Sequence, residues 1–113
     1  MTETARTGGS APSLMLRETA EAPAAVERLT ASNAATCRAL GERLRTAPPR
    51  FVVTCARGTS DTAATYAKYL IELRLATVVA SVGPSVASVY GKRPRMGEAL
   101  FIAVSQSGRS PDI

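Results

Sequence analysis

Apolar residues fall into two regimes along this chain. Between Leu14 and about Arg45 they recur at intervals of three, four and seven or near them, through Leu14, Met15, Ala22, Val26, Leu29, Leu40 and Leu44. That spacing is one face of a helix. Pro23 divides the stretch, because proline is tolerated in a first helical turn. The pattern therefore predicts a short helix near 14–20 and a longer one near 23–46. Pro48-Pro49 forbids further helix. Residues 1–13, ahead of the first apolar position, are small and polar and include Gly8-Gly9; they read as a flexible tail.

Beyond the two prolines the apolar residues bunch into short runs. Phe51-Val52-Val53-Thr54-Cys55 is β-branched and apolar, with no polar alternation. It reads as a strand covered on both faces, as in a parallel sheet. Gly58 permits a tight turn after it, and Thr59, Ser60 and Asp61 are all suited to cap a helix start. A helix over about 60–74 follows, with Ala63, Ala67, Leu70 and Ile71 as its inward stripe. A second short strand is Thr77–Ser81, Ser85–Tyr90 is a helical turn, and Gly91–Arg95 is a loop. Leu100–Val104 is a third strand, read as buried on both sides.

Strand, helix, strand, turn and strand in that order imply right-handed crossovers and a parallel sheet. The predicted class is α/β: N-terminal helices over 14–50, then over 51–113 the start of a doubly wound, flavodoxin-like sheet. Ser110-Pro111-Asp112 has the form of a helix start. One residue later the sequence stops, so the expectation is a portion of a longer domain, or a truncated product.

Composition narrows what this frame can do. Aromatics are 4% of the 113 residues, so the core is made of Ala, Val, Leu and Ile, side chains that let helices lie close on a sheet. The formal charge of +5 raises nucleic acid as a partner. The basic residues are scattered, however, with no long basic run and almost no interleaved aromatics to stack bases, and no nucleic-acid partner is expected. A mildly basic chain suits a small anionic substrate equally well. Cys37 and Cys55 make neither a disulfide framework nor a metal site and read as reduced thiols. No secretory signal is visible in residues 1–11, and the longest apolar run, Ala99–Val104, is far too short to span a bilayer. A cytoplasmic protein without a membrane partner is expected.

Several chemistries are excluded by absence. The chain has no histidine, so it cannot by itself assemble a Ser-His-Asp or Cys-His centre or a histidine metal site. Neither the ATP-binding P-loop pattern nor the dinucleotide glycine pattern is present, and no cofactor is expected. What remains is a pair of hydroxyl-rich turns, each at the C-terminal end of a predicted strand: Gly58-Thr59-Ser60, and Ser105-Gln106-Ser107-Gly108-Arg109-Ser110. Open parallel sheets bind ligands at this edge. Helix-start N–H groups carry partial positive charge, hydroxyls add neutral donors, and the Gln106 amide is a further donor. Arg57 and Arg109 add charge from the rim. Either turn alone is well explained as helix capping; the two together point to an anion site. Among nearby ionisable residues, Lys68 and Glu72 read as an exposed helix face, and Asp61 and Asp112 as helix-start acids.

These two turns resemble the hallmark loops of sugar isomerase (SIS) domains. The resemblance is strongest to the isomerase half of glutamine–fructose-6-phosphate aminotransferase and to its shorter, glucosamine-6-phosphate deaminase-like relatives. Supporting it are Met15-Leu16-Arg17-Glu18 with Glu21-Ala22-Pro23, Ala67-Lys68-Tyr69-Leu70-Ile71-Glu72, and Pro84-Ser85-Val86-Ala87-Ser88-Val89-Tyr90. It runs from about residue 14 to the end. Arg57, where the aminotransferase has cysteine, and Arg109-Ser110-Pro111, where it has Glu-Thr-Ala, tilt it toward the shorter relatives.

The resemblance implies that Thr59, Ser60, Ser105, Gln106, Ser107 and Ser110 hold the phosphate of a hexose or aminohexose 6-phosphate. It implies that the catalytic glutamate, lysines and histidine lie beyond Ile113 or on a neighbouring subunit. The intact protein would then be an aminosugar-phosphate isomerase, isomerising aminotransferase or deaminase, working as a homodimer, and this 113-residue piece would be inactive alone. Two other readings stay open: a SIS module that senses a sugar phosphate within a regulator, and a non-functional truncated fragment.

Overall fold

The computed structural model of the chain describes residues 13–111. The expectations for residues 1–12 and for Asp112 concern positions outside them. The described chain divides into two units, the second starting at Leu44.

The first unit is made by helix α1, Leu14–Thr46, which runs on at its end into the second. Ser13, read above as part of the tail, caps it. Its Oγ accepts the Leu16 N–H at 3.3 Å, and its carbonyl accepts that of Arg17 at 3.1 Å. That is the side-chain N-cap arrangement. The two predicted helices are one, because Pro23 lies inside α1 rather than starting a second helix. The ring removes one helical N–H, the partner of the Thr19 carbonyl, and the helix runs through that single loss. No residue of α1 is buried.

The second unit contains strand β1 (Phe51–Ala56), helix α2 (Thr59–Leu75), strand β2 (Val79–Ser81), the one-turn helix α3 (Ser85–Ser88) and strand β3 (Ala99–Val104). The sheet is parallel in the order β2-β1-β3. Val52 to Thr54 stand beside Val79 to Ser81, and Phe51 to Ala56 beside Ala99 to Val104. The α/β class and parallel sheet of the sequence reading are what the chain forms. β1 is central, and its residues from Val52 to Ala56 are all buried, as expected of a strand covered on both faces. Thr54, the buried polar residue of the core, is 2% exposed. Its Oγ1 reaches Ser81 Oγ at 3.4 Å and the Ala80 carbonyl at 3.5 Å, tying β1 to β2.

Three expectations are corrected here. β3 is not buried on both sides: like β2 it stands at an edge of the three-stranded sheet, and Phe101 remains 48% exposed. Phe101, Cys55, Met96 and Val86 border a largely apolar hollow of about 220 Å³ beneath the β2–β3 crossover. The stripe of α2 is turned by about one residue from the predicted one. Ala64 is its buried residue, Ala67, Lys68, Ile71 and Glu72 are half-buried, and Ala63 and Leu70 are exposed. Glu72 is consequently no surface residue: its Oε1 accepts the Val79 N–H at 3.2 Å, joining α2 to the first residue of β2. Finally, none of Thr59, Ser60 and Asp61 is the N-cap of α2. Gly58 holds that position, at φ 56° and ψ −133°, without a side-chain cap. Asp61 sits in the first turn, where its charge suits the helix dipole.

At the N-terminal ends of β1 and β3, Arg50 clasps Glu98. The Arg50 N–H donates to the Glu98 carbonyl at 3.2 Å and Nη1 reaches Oε2 at 3.1 Å. Both side chains are well exposed, so the ion pair contributes about 0.2–1 kcal/mol.

Candidate functional site

Parallel order places the C-terminal ends of all three strands on one edge. β1 leads through α2 to a neighbour on one side, and the next crossover carries the chain to the other side of β1. With crossovers of one hand, such a reversal puts them on opposite faces and opens a crevice between the two strand ends. The turn after β1 and the turn after β3 flank that crevice.

Each turn is shaped by its own sequence. After β1, Gly58 adopts a conformation closed to most L-residues. The chain then turns directly into α2, with the Ser60 N–H on the Arg57 carbonyl at 3.2 Å and the Asp61 N–H on that of Gly58 at 3.0 Å. After β3, the serines fasten the loop on themselves. Ser105 Oγ accepts the Gly108 N–H at 3.1 Å, and Ser107 Oγ accepts that of Arg109 at 3.2 Å. Gly108 makes the reversal at φ 63°. Ser105 Oγ lies 3.5 Å from Ser110 Oγ, so the two ends of the loop meet through their hydroxyls.

Between the turns is an open, concave space of about 450 Å³ lined by Arg57, Thr59, Ser60, Gln106, Ser107 and Ser110. Five of the six residues singled out from the sequence thus border one space. The sixth, Ser105, stands behind it and holds the loop. Of the two rim arginines, Arg57 borders the space and Arg109 does not. Of the N–H groups expected to point outward from the helix start, those of Ser60 and Asp61 are engaged, and the lining side chains add further donors. A serine hydroxyl that accepts one bond still has its own proton to donate, so Ser107 can hold its loop and bind a ligand oxygen at once. Among the described residues the lining offers hydroxyls, one amide and one guanidinium, with no carboxylate, thiol or imidazole. Such a donor set suits an anion.

Among the described residues no group of three or more His, Cys, Asp and Glu side chains is placed to hold a metal ion. No helix among them is long and apolar enough to cross a membrane.

A solved crystal structure matches this chain. It is described as a "putative phosphosugar isomerase" from Silicibacter pomeroyi DSS-3. Identity is 52%, the TM-score is 0.78, and the match covers 85% of this chain. The chain spans only 29% of that protein's length. No family model matches the chain, and no curated protein does. The fold of the described region is therefore that of part of the Silicibacter protein, and the sequence likeness extends over most of the chain.

Sequence reasoning located the two turns from hydroxyls that follow apolar strands. It missed the tie from Glu72 to β2, whose only signal is an acid at the end of an otherwise inward stripe. It also missed the apolar hollow at Phe101, which depends on how closely the crossover approaches the sheet.

Proposed function

We propose that this chain is a portion of a SIS-type phosphosugar isomerase, and that its two strand-end turns hold the phosphate of a hexose or aminohexose 6-phosphate. The observation that carries the reading is the convergence of Thr59 and Ser60 from one turn with Gln106, Ser107 and Ser110 from the other on a single concave space. Ser105 acts behind them, through Gly108 and Ser110. Many neutral donors converging from two strand ends suit a phosphate oxygen cluster. The Silicibacter protein's description supports the substrate class.

On this reading the cavity binds and orients while the chemistry is done elsewhere. Moving a carbonyl along a sugar needs a base near a carbon-bound proton, and none of the described lining residues is such a group. The base and acid of the intact protein come from residues outside this sequence or from a second subunit of a homodimer. The reaction is an isomerisation, deamination or amino transfer between fructose 6-phosphate and glucosamine 6-phosphate.

The test is a titration of the chain with glucosamine 6-phosphate, followed by backbone amide NMR. Saturable shifts confined to residues 57–61 and 105–110 support the reading. Shifts elsewhere, or none, contradict it.

A further inference from the structure

We propose that α1 is a self-association surface, along which two copies of this chain pair antiparallel. The surface shares no residue with the strand-end cavity, so it stands or falls independently of the sugar-phosphate reading. Helices in water draw most of their stability from packing one apolar face. α1 is 33 residues long and buries none of them, and Val26, Leu29 and Leu40 are 60, 63 and 50% exposed. Its charges are nevertheless sorted. Counted in heptads with Thr19 as position a, the charged residues between 19 and 42 are Glu21, Glu27, Arg28, Arg38 and Glu42, and all fall at b, c or f. Positions a, d, e and g over the same span hold none. That is the division between seam and solvent side in a paired helix.

Two features name a second copy as the occupant. The first is Asn33, at position a between Val26 and Leu40. A single asparagine at such a position fixes the alignment of paired helices at some cost in stability. The second is charge. Residues 17–28 carry three acids against two arginines, and residues 38–45 carry three arginines against one acid. Parallel pairing would set each half beside its like. Antiparallel pairing about a two-fold axis sets the acid-rich half of one copy beside the arginine-rich half of the other, twice over. The helix is thus complementary to itself end for end. Its seam is made largely of small side chains around Val26, Leu29 and Leu40, with Ala22, Ala25 and Ala39 allowing the backbones to approach closely.

Sedimentation equilibrium of the 113-residue chain over a wide concentration range tests this. The mass is expected to rise from 11.8 kDa to twice that value as concentration increases. Leu29→Glu places a charge in the seam and should raise the dissociation constant at least about 10-fold, since each copy loses a buried leucine. Ala31→Glu, at position f on the solvent side, should leave it unchanged. Charge reversal tests the direction. Glu18→Arg/Glu21→Arg and Arg38→Glu/Arg45→Glu should each weaken the pair several-fold, and the two sets carried together should restore it. Recovery of this kind cannot come from a variant that fails to fold. A mass of 11.8 kDa at every concentration overturns the proposal and means that the stripe is covered within one chain or by a different partner. Association that Leu29→Glu leaves intact, or that Ala31→Glu disrupts equally, overturns it as well. If the combined reversal does not recover pairing, the copies are not antiparallel and the arrangement proposed is wrong.

Discussion

Replacing Gly58 with alanine tests whether the turn after β1 is set by backbone conformation rather than by packing. Gly58 sits at φ 56° and ψ −133°. A Cβ there would meet no atom within 4 Å, so collision adds nothing to the cost. What remains is conformational. An L-residue forced to positive φ loses about 1–2 kcal/mol, and positions near the glycine-only region cost about 1–3 kcal/mol. Alanine regains about 0.4–1 kcal/mol by restricting the unfolded chain. The net loss is about 1–2 kcal/mol, which at a urea slope of about 1–3 kcal/mol/M lowers the midpoint by roughly 0.3–2 M. Gly97→Ala is the control: it too has nothing within 4 Å and is not at positive φ, so it should be neutral or slightly stabilising. Urea unfolding of the two variants side by side is the assay. If Gly58→Ala is as stable as Gly97→Ala, the turn is not held by the conformation described, and its placing of Arg57, Thr59 and Ser60 loses its physical basis.

Other outcomes follow from particular contacts. Glu72→Ala strands the Val79 N–H at the start of β2 and should cost about 1–3 kcal/mol by the same unfolding assay, whereas Glu72→Gln keeps an acceptor and should recover most of it. Thr59→Ala removes an exposed hydroxyl at the cavity; stability should change by no more than about 0.5 kcal/mol while calorimetry shows weaker binding of glucosamine 6-phosphate. The purified chain should show no isomerase or deaminase turnover of glucosamine 6-phosphate in a coupled assay, since none of the described residues lining its cavity is a base; measurable turnover would place the catalytic groups within this chain.

The parts of the fold legible in the sequence were those decided by local chemistry. Phe51–Cys55 declared a buried strand because nothing polar but Thr54 interrupts it, and Thr54 found a partner on β2. The serines after β3 declared a shaped loop, although their first task is to fasten Gly108 and Arg109. The parts misread were decided by neighbours or by single conformations. In α2, alanines at 63, 64 and 67 with Leu70 and Ile71 allow two overlapping stripes, and contact with the sheet selects the one through Ala64. β3 has the composition of a central strand but stands at the edge. Thr59, Ser60 and Asp61 are all good caps by residue type, yet a glycine conformation took the position. At Pro23 the lost hydrogen bond is one among many in a 33-residue helix, too few to stop it.

The claim that the two turns together hold a sugar phosphate is tested most directly by glucosamine 6-phosphate binding to wild type, Ser105→Ala/Ser107→Ala and Ser105→Thr/Ser107→Thr. Ser105 fastens the loop, and Ser107 both fastens it and faces the cavity. The alanine pair should therefore lose binding, and the threonine pair, which keeps both hydroxyls, should recover much of it. Undiminished binding by the alanine pair would contradict the account.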